Sequence, residues 1–489
     1  MNLINNARWV AISQLFKIAV QLINLIVLTR LIPPTDYGVM AMALVVTNLG
    51  LLVRDLGTSA ALIQRKVIDD GIINAVFWLN LIMGFSITII IVISAPFVAV
   101  FFEQPKLLLV LILLSMIFPI SSSASAHLAL LERSSKFKKI AGIEISSSLI
   151  SVIIAIIAAY YGLGIFSLVV QALLINSISS VCYWKVSAWR PNIKKILCFR
   201  ELKKIIGFSG NLFIFNFINY FSRNADSLIV GHYMSTSILG AYNLAYRIML
   251  FPLQSLTFIA NRSLFPILSR QQDNDEQLRE SYFNCIFLIL FIVVPLMSGL
   301  AILREPFVSL VFGKQWSLTA NILLWLAPTA IVQSILSTSG TVFMAKGKTG
   351  QLMILGIVGM ILQVGAFLFG VRYDIVFFAK CYFIANVINF IPVMFLKLRI
   401  LHLSFIDLFK KIYLIFVSAV IMIATIYSLQ KFDFFLAANL TFISLIQLSI
   451  IGGFVYVASS FILIKTFRTF TITLYKNSLI NTKTNAKSN

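Results

Sequence analysis

Four polar residues recur along the first long apolar run of the chain: Ser13, Lys17, Gln21 and Asn24. At 100° per residue on a helix they share an arc of about 80°. A second run carries Asn216, Asn219, Arg223, Asp226 and Ser227 on one face, and a third carries Asn243, Arg247, Gln254 and Asn261 on a narrower one. Ammonium and guanidinium groups neutralise anions, and amides hydrogen-bond hydroxyls. A charged side chain at mid-bilayer costs roughly 2.5–3.5 kcal/mol on insertion scales. Lys17, Arg223 and Arg247 facing lipid would together cost on the order of 8–10 kcal/mol, so they are expected to line a protein interior or aqueous cavity. The three stripes carry more positive than negative charge, which suits an anion; a diphosphate head group is one ligand that fits. Asp226, the carboxylate deep in the second stripe, is the candidate site for coupling to H+ or Na+. The competing reading is packing: polar side chains bridge membrane helices for about 0.6 kcal/mol each, and Arg223 with Asp226 could form a structural ion pair. The residues leave both readings open.

The elements that must position these stripes follow from composition. Of 489 residues, 60% are hydrophobic and only 11% charged, far from the roughly 25% charge of a soluble domain. A helical crossing uses about 20 apolar residues, and the apolar runs fall into fourteen such segments, with twelve as the alternative. The expected fold class is an all-α polytopic membrane protein of about 14 helices. Gly162 and Gly164 divide one run that would otherwise be too long for a single span. The net charge of +22 would suggest nucleic acid in a soluble protein, but here Lys and Arg crowd alternate loops. Lys185 through Lys204, and Lys397 through Lys411, are two of the basic clusters. Basic residues in short loops stay cytoplasmic, so both termini are expected in the cytoplasm, in a multi-pass protein of the cytoplasmic (inner) membrane.

The longest basic loop suggests an N-lobe over 1–200, a C-lobe over 201–400, and a C-terminal helix pair with a tail over 401–489. A shift of 202 residues pairs Leu28–Gly38 (LTRLIPPTDYG) with Val230–Gly240 (VGHYMSTSILG), and sets Lys17, Gln21 and Asn24 against Asn219, Arg223 and Asp226. Two parallel repeats related by an axis along the membrane normal are a known transporter plan. Other motifs carry less. Gly347-Lys-Thr349 lacks the upstream glycine of a phosphate loop and follows an apolar run instead of a strand. Arg54–Asp55, Glu132–Arg133 and Arg304–Glu305 sit at span ends, where interfacial anchoring is the simpler role. The cysteines and histidines show no metal-ligand spacing, and no cofactor is implied.

Several stretches together resemble Wzx-type polysaccharide transporters, especially the colanic-acid-exporter-like branch. They are Leu28–Gly38, Arg54-Asp-Leu-Gly57, Ala61-Leu-Ile-Gln-Arg65, Leu130–Lys138 (LLERSSKFK) and Gly162–Gln171 (GLGIFSLVVQ). The resemblance implies the multidrug/oligosaccharidyl-lipid/polysaccharide exporter fold, two six-helix lobes in a pseudo-twofold V plus a C-terminal helix pair. It implies a flippase, not an enzyme, that carries undecaprenyl-diphosphate-linked oligosaccharide repeat units for O-antigen, capsule or exopolysaccharide synthesis by alternating access. Its partners would be that lipid-linked substrate, membrane lipids and the polymerase of the same pathway. Helices 1, 2, 7 and 8 line the central cavity in related flippases. The expected substrate-binding set is then Lys17, Gln21, Asn24, Asn219, Arg223, Asn243, Arg247 and Gln254. A drug exporter of the same fold and a membrane glycan polymerase or ligase are the alternatives.

Overall fold

The computed structural model describes residues 3–55, 62, 69–193, 220, 224–271, 274–431, 441–465 and 467–469, with all their side chains except those of 3–13, 15, 55, 253–267 and 269. Among these residues the chain is all-α, without a strand. Eleven helical segments are long and apolar enough to cross a membrane, which makes this a polytopic membrane protein. Continuous helices suit hydrocarbon because they satisfy their own backbone groups. The expected total of fourteen spans is not reached among the described residues.

Two compact units divide the chain at Asn243 and Leu244. Unit 1 holds α1 (Leu3–Leu31), α2 (Pro34–Asp55), α3 (Asp70–Phe101), α4 (Pro105–Ser115), α5 (Ile117–Arg133), α6 (Phe137–Tyr160) and α7 (Ile165–Val186). It also takes in a helical segment at 224–233 and the first turns of α8 (Thr236–Arg270). Unit 2 continues with the rest of α8, then α9 (Asp275–Ile302), α10 (Arg304–Val311), α11 (Ser317–Ser337), α12 (Ser339–Ala345), α13 (Thr349–Gly370), α14 (Ile375–Ile400), α15 (Phe405–Lys431) and α16 (Phe442–Leu463).

Local chemistry sets the helix ends. Pro34 opens α2, where its missing N–H is no loss. Asp69 caps α3 by accepting from the Ile72 amide at 2.9 Å, and Asp374 caps α14 from the Phe377 amide at 2.7 Å. Gly162 and Gly164 both adopt positive φ and separate α6 from α7, as the overlong apolar run requires. Asp36 completes that corner: its carboxylate accepts from the Ile165 amide at 3.0 Å and lies 3.5 Å from the Lys106 ammonium. The break between α4 and α5 is covered likewise, the Thr88 hydroxyl lying 2.8 Å from the Ser115 carbonyl.

In unit 1, α1 packs on α6, α6 on α7, and α3 on both α4 and α5. In unit 2, α9 packs on α11 and α15, and α14 on α11 and α13. The largest described core joins Leu278, Ile286 and Leu290 of α9 to Ile415 and Met422 of α15 and Leu448 of α16. Exposed apolar side chains such as Ile89, Ile90, Ile93 and Phe97 along α3 form the hydrocarbon-facing surface of a membrane helix.

Candidate functional site

The stripe on α1 turns toward its neighbours in unit 1. Lys17 donates to Glu144 of α6 at 2.8 Å, with the two side chains 28% and 33% exposed. About two turns further on, Asn24 makes a long 3.4 Å contact from its amide nitrogen to Gln171 of α7. The Asn24 carbonyl oxygen is buried without a protein partner. Gln21, between them, is exposed. The seam is therefore polar, partly wet and electrically balanced at Lys17, because a carboxylate faces the ammonium.

Glu144 and Gln171 are functional candidates that spacing within α1 cannot reveal. Each is nonetheless visible as a polar residue inside an apolar run. What the sequence withholds is that both runs pack beside the same helix.

Asp226 is also enclosed, at 3% exposure. It accepts from the Tyr242 hydroxyl at 2.9 Å and from the Ser227 amide at 2.7 Å, which ties the 224–233 helix to the start of α8. Asn243 is half-buried and Arg247 exposed on α8. Asn219, Arg223 and the side chain of Gln254 lie outside the described residues.

The 202-residue match acquires physical content at the glycines. A methyl group on Gly38 would overlap the Thr236 carbonyl, and one on Gly240 would overlap the Pro34 carbonyl. Pro34 and Thr236 are themselves partners in that register, so the contact is reciprocal, as a twofold relation requires. Buried pairs follow the same register: Leu28 with Val230, and Ala43 with Ala245, all fully enclosed. Phe101 at the end of α3 joins this region, stacking on His232 with ring centroids 4.2 Å apart.

Other expected residues resolve into structural roles. Arg54 donates to Ser121 of α5, Arg133 to the Leu62 carbonyl at 3.1 Å, and Arg304 to Glu305 at 3.0 Å. Lys346, in the turn containing Gly347-Lys-Thr349, holds Asp275 at 2.8 Å. One reading is corrected. Lys397, counted among the cytoplasmic loop cations, belongs to α14 and is completely buried. It donates to the Ile335 carbonyl at 3.0 Å and lies 3.5 Å from the Thr338 hydroxyl, with the Tyr282 ring centre 5.3 Å away. Its position next to Arg399 at the end of an apolar run disguised it as a loop residue.

Unit 2 has a second polar group in which Gln333 of α11 meets the Tyr382 hydroxyl at 2.6 Å and Asn386 at 3.3 Å on α14. These bonds join the two helices through amides and a phenol without a formal charge.

Comparison with known proteins places the chain further. The family described as polysaccharide biosynthesis protein matches residues 27–321. The teichuronic acid biosynthesis protein TuaB of Bacillus subtilis (strain 168) is 26% identical over 84% of this chain and 85% of its own length. The lipopolysaccharide biosynthesis protein WzxC of Escherichia coli (strain K12) is 26% identical over 71% of this chain and 70% of its own. Among solved structures, lipid II flippase MurJ in an inward closed conformation shares the fold, with a TM-score of 0.71 at 16% identity, covering 94% of this chain and 99% of that one.

Proposed function

Since the chain belongs to the polysaccharide biosynthesis protein family, we propose that it is a flippase. Its substrate would be an undecaprenyl-diphosphate-linked oligosaccharide repeat unit, moved across the cytoplasmic membrane for O-antigen, capsule or exopolysaccharide synthesis. The observation that carries this reading is the extent of the match to the TuaB protein of teichuronic acid biosynthesis, over 84% of this chain.

The chemistry needed is modest. A diphosphate must leave water without losing its counter-charge, sugar hydroxyls need hydrogen-bond partners, and the polyprenyl tail can stay in lipid. Lys17, Arg223 and Arg247 supply the cations, with Glu144 setting how much of the Lys17 charge is offered. Gln21, Asn24, Asn219, Asn243 and Gln254 supply amides for hydroxyls. Asp226 is the coupling site for H+ or Na+. No covalent bond is made or broken; translocation is an exchange between two packings of the protein. Both termini lie in the cytoplasm, and a polymerase of the same pathway takes the product.

Replacing both Arg223 and Arg247 with glutamine tests the site. Surface polysaccharide is expected to disappear while the variant remains inserted at wild-type amounts. Normal polysaccharide from an inserted double variant would overturn this assignment of the site.

A further inference from the structure

A cavity of about 480 Å³ opens between the first turns of α5 and the last turns of α7, within unit 1. Its walls include Ile120, Ser177, Ser180 and Trp184, and its lining includes two cations, Lys185 and Arg190. Both cations are exposed, and neither has a carboxylate partner among the described residues. The Ser177 hydroxyl makes no hydrogen bond to protein among them either. Two serines that also border the cavity direct their hydroxyls to the Ile120 carbonyl, Ser123 at 2.7 Å and Ser180 at 2.9 Å. The Trp184 indole N–H donates to the Ser123 carbonyl at 2.9 Å.

The position of Arg190 is built, although it lies beyond the end of α7. Asn192 donates its amide to the Asn74 side chain at 2.7 Å, and the Asn74 amide group donates back to the Asn192 carbonyl at 3.1 Å. Trp189 is set against Phe77, with ring centres 5.7 Å apart, and against the enclosed His127 at 5.4 Å. The guanidinium between these two anchors donates to the Ser187 carbonyl at 2.6 Å and stands 5.9 Å from the Trp184 ring centre. Trp78, Trp184 and Trp189 gather at this end of the helices, as indoles do at a membrane–water boundary.

We propose that this fissure binds the phosphate headgroup of an acidic membrane phospholipid. Lys185 and Arg190 hold the phosphate, Ser177 donates a hydrogen bond, and an acyl chain lies along Ile120 and Val181. Charge complementarity selects the occupant: two cations without carboxylate partners face an anion, and apolar walls on membrane helices suit a chain-bearing anion over a soluble one. Basic pockets between membrane helices take acidic headgroups by this chemistry. The inference does not depend on transport activity.

The test uses the full chain purified in detergent and presented with phosphatidylglycerol, phosphatidylcholine or inorganic phosphate, with bound lipid read by native mass spectrometry. Phosphatidylglycerol is expected to remain bound. Its retention should fall roughly 25-fold in the Lys185→Gln/Arg190→Gln variant, at about fivefold for each cation. A Ser177→Leu variant, which fills the fissure and leaves both cations, should lose it as well and decides the matter if the double variant does not fold. Lys136→Gln/Lys139→Gln, which removes charge elsewhere, should retain it. Equal retention by wild type and both fissure variants would overturn the proposal. So would equal retention of phosphatidylcholine, or displacement of phosphatidylglycerol by millimolar inorganic phosphate.

Discussion

Lys17 and Lys397 both set an ammonium within a long, mainly apolar helix, but the two units accommodate that charge differently. In unit 1, Lys17 meets Glu144 at 2.8 Å in a setting that is 28% and 33% exposed. In unit 2, Lys397 is fully enclosed and meets a carbonyl, a hydroxyl and an aromatic face. The carbonyl is that of Ile335, and the hydroxyl belongs to Thr338 in the break between α11 and α12. A helix end leaves backbone acceptors without partners, and the ammonium supplies a donor there. Lys397 thus closes a structural gap. The partial exposure of Lys17 leaves it able to meet a ligand. The depth of a charge alone does not distinguish these roles; its access to water and the identity of its partners do.

The largest stability effect is expected at Lys397. Lys397→Ala removes a fully buried side chain and leaves a cavity, at a cost of about 2–5 kcal/mol, and it takes one of two donors from the Ile335 carbonyl, which keeps the Thr338 hydroxyl at 2.9 Å. A loss of about 3 kcal/mol should appear as a lower unfolding temperature of the purified protein, and residual transport should scale with the amount that remains folded. Transport lost at undiminished stability would remove the distinction between the two lysines.

Lys17→Gln should change stability by no more than about 1 kcal/mol, because the ion pair is a third exposed. Yet it should strongly reduce transport, read as surface polysaccharide per inserted molecule. Exchanging the pair as Lys17→Glu/Glu144→Lys sharpens the point. Stability is expected to return, and transport is not, because the cation then sits on α6. Recovered transport would make the pair packing glue and remove Lys17 from the site.

Asn24→Ala should have the smallest effect, about 0.6 kcal/mol or less, as found for hydrogen bonds between membrane helices. The 3.4 Å contact with Gln171 is long, and the buried Asn24 oxygen has no partner to lose. A double-mutant cycle with Gln171→Ala would measure this coupling, and a value above about 1.7 kcal/mol would exceed the range for such bonds.

Much of the fold was legible because hydrocarbon restricts a chain so severely. Apolar run length marked the helices, and Gly162 and Gly164 marked the α6–α7 break. The site was less legible for a geometric reason. Helical periodicity orders side chains around one axis, so it identified the stripe on α1 but not the helices that would face it. Glu144 lies 127 residues from Lys17, and nothing in the local pattern of either helix reports the pairing. Lys397 shows the complementary failure. Position at the end of an apolar run suggested water, whereas packing against Tyr282 and the interrupted α11–α12 turn draws the side chain inward. The repeat stands between these cases: its glycine register was readable, but the reciprocal carbonyl contacts that make glycine necessary emerge only in three dimensions.

The central claim is translocation of a lipid-linked oligosaccharide, and its most direct test is the leaflet distribution of that lipid in a strain lacking this gene. Repeat units should accumulate on carriers in the cytoplasmic leaflet, with wild-type protein restoring them to the outer leaflet and the Arg223→Gln/Arg247→Gln variant failing to do so. An unchanged distribution between the leaflets in the deletion strain would contradict the account.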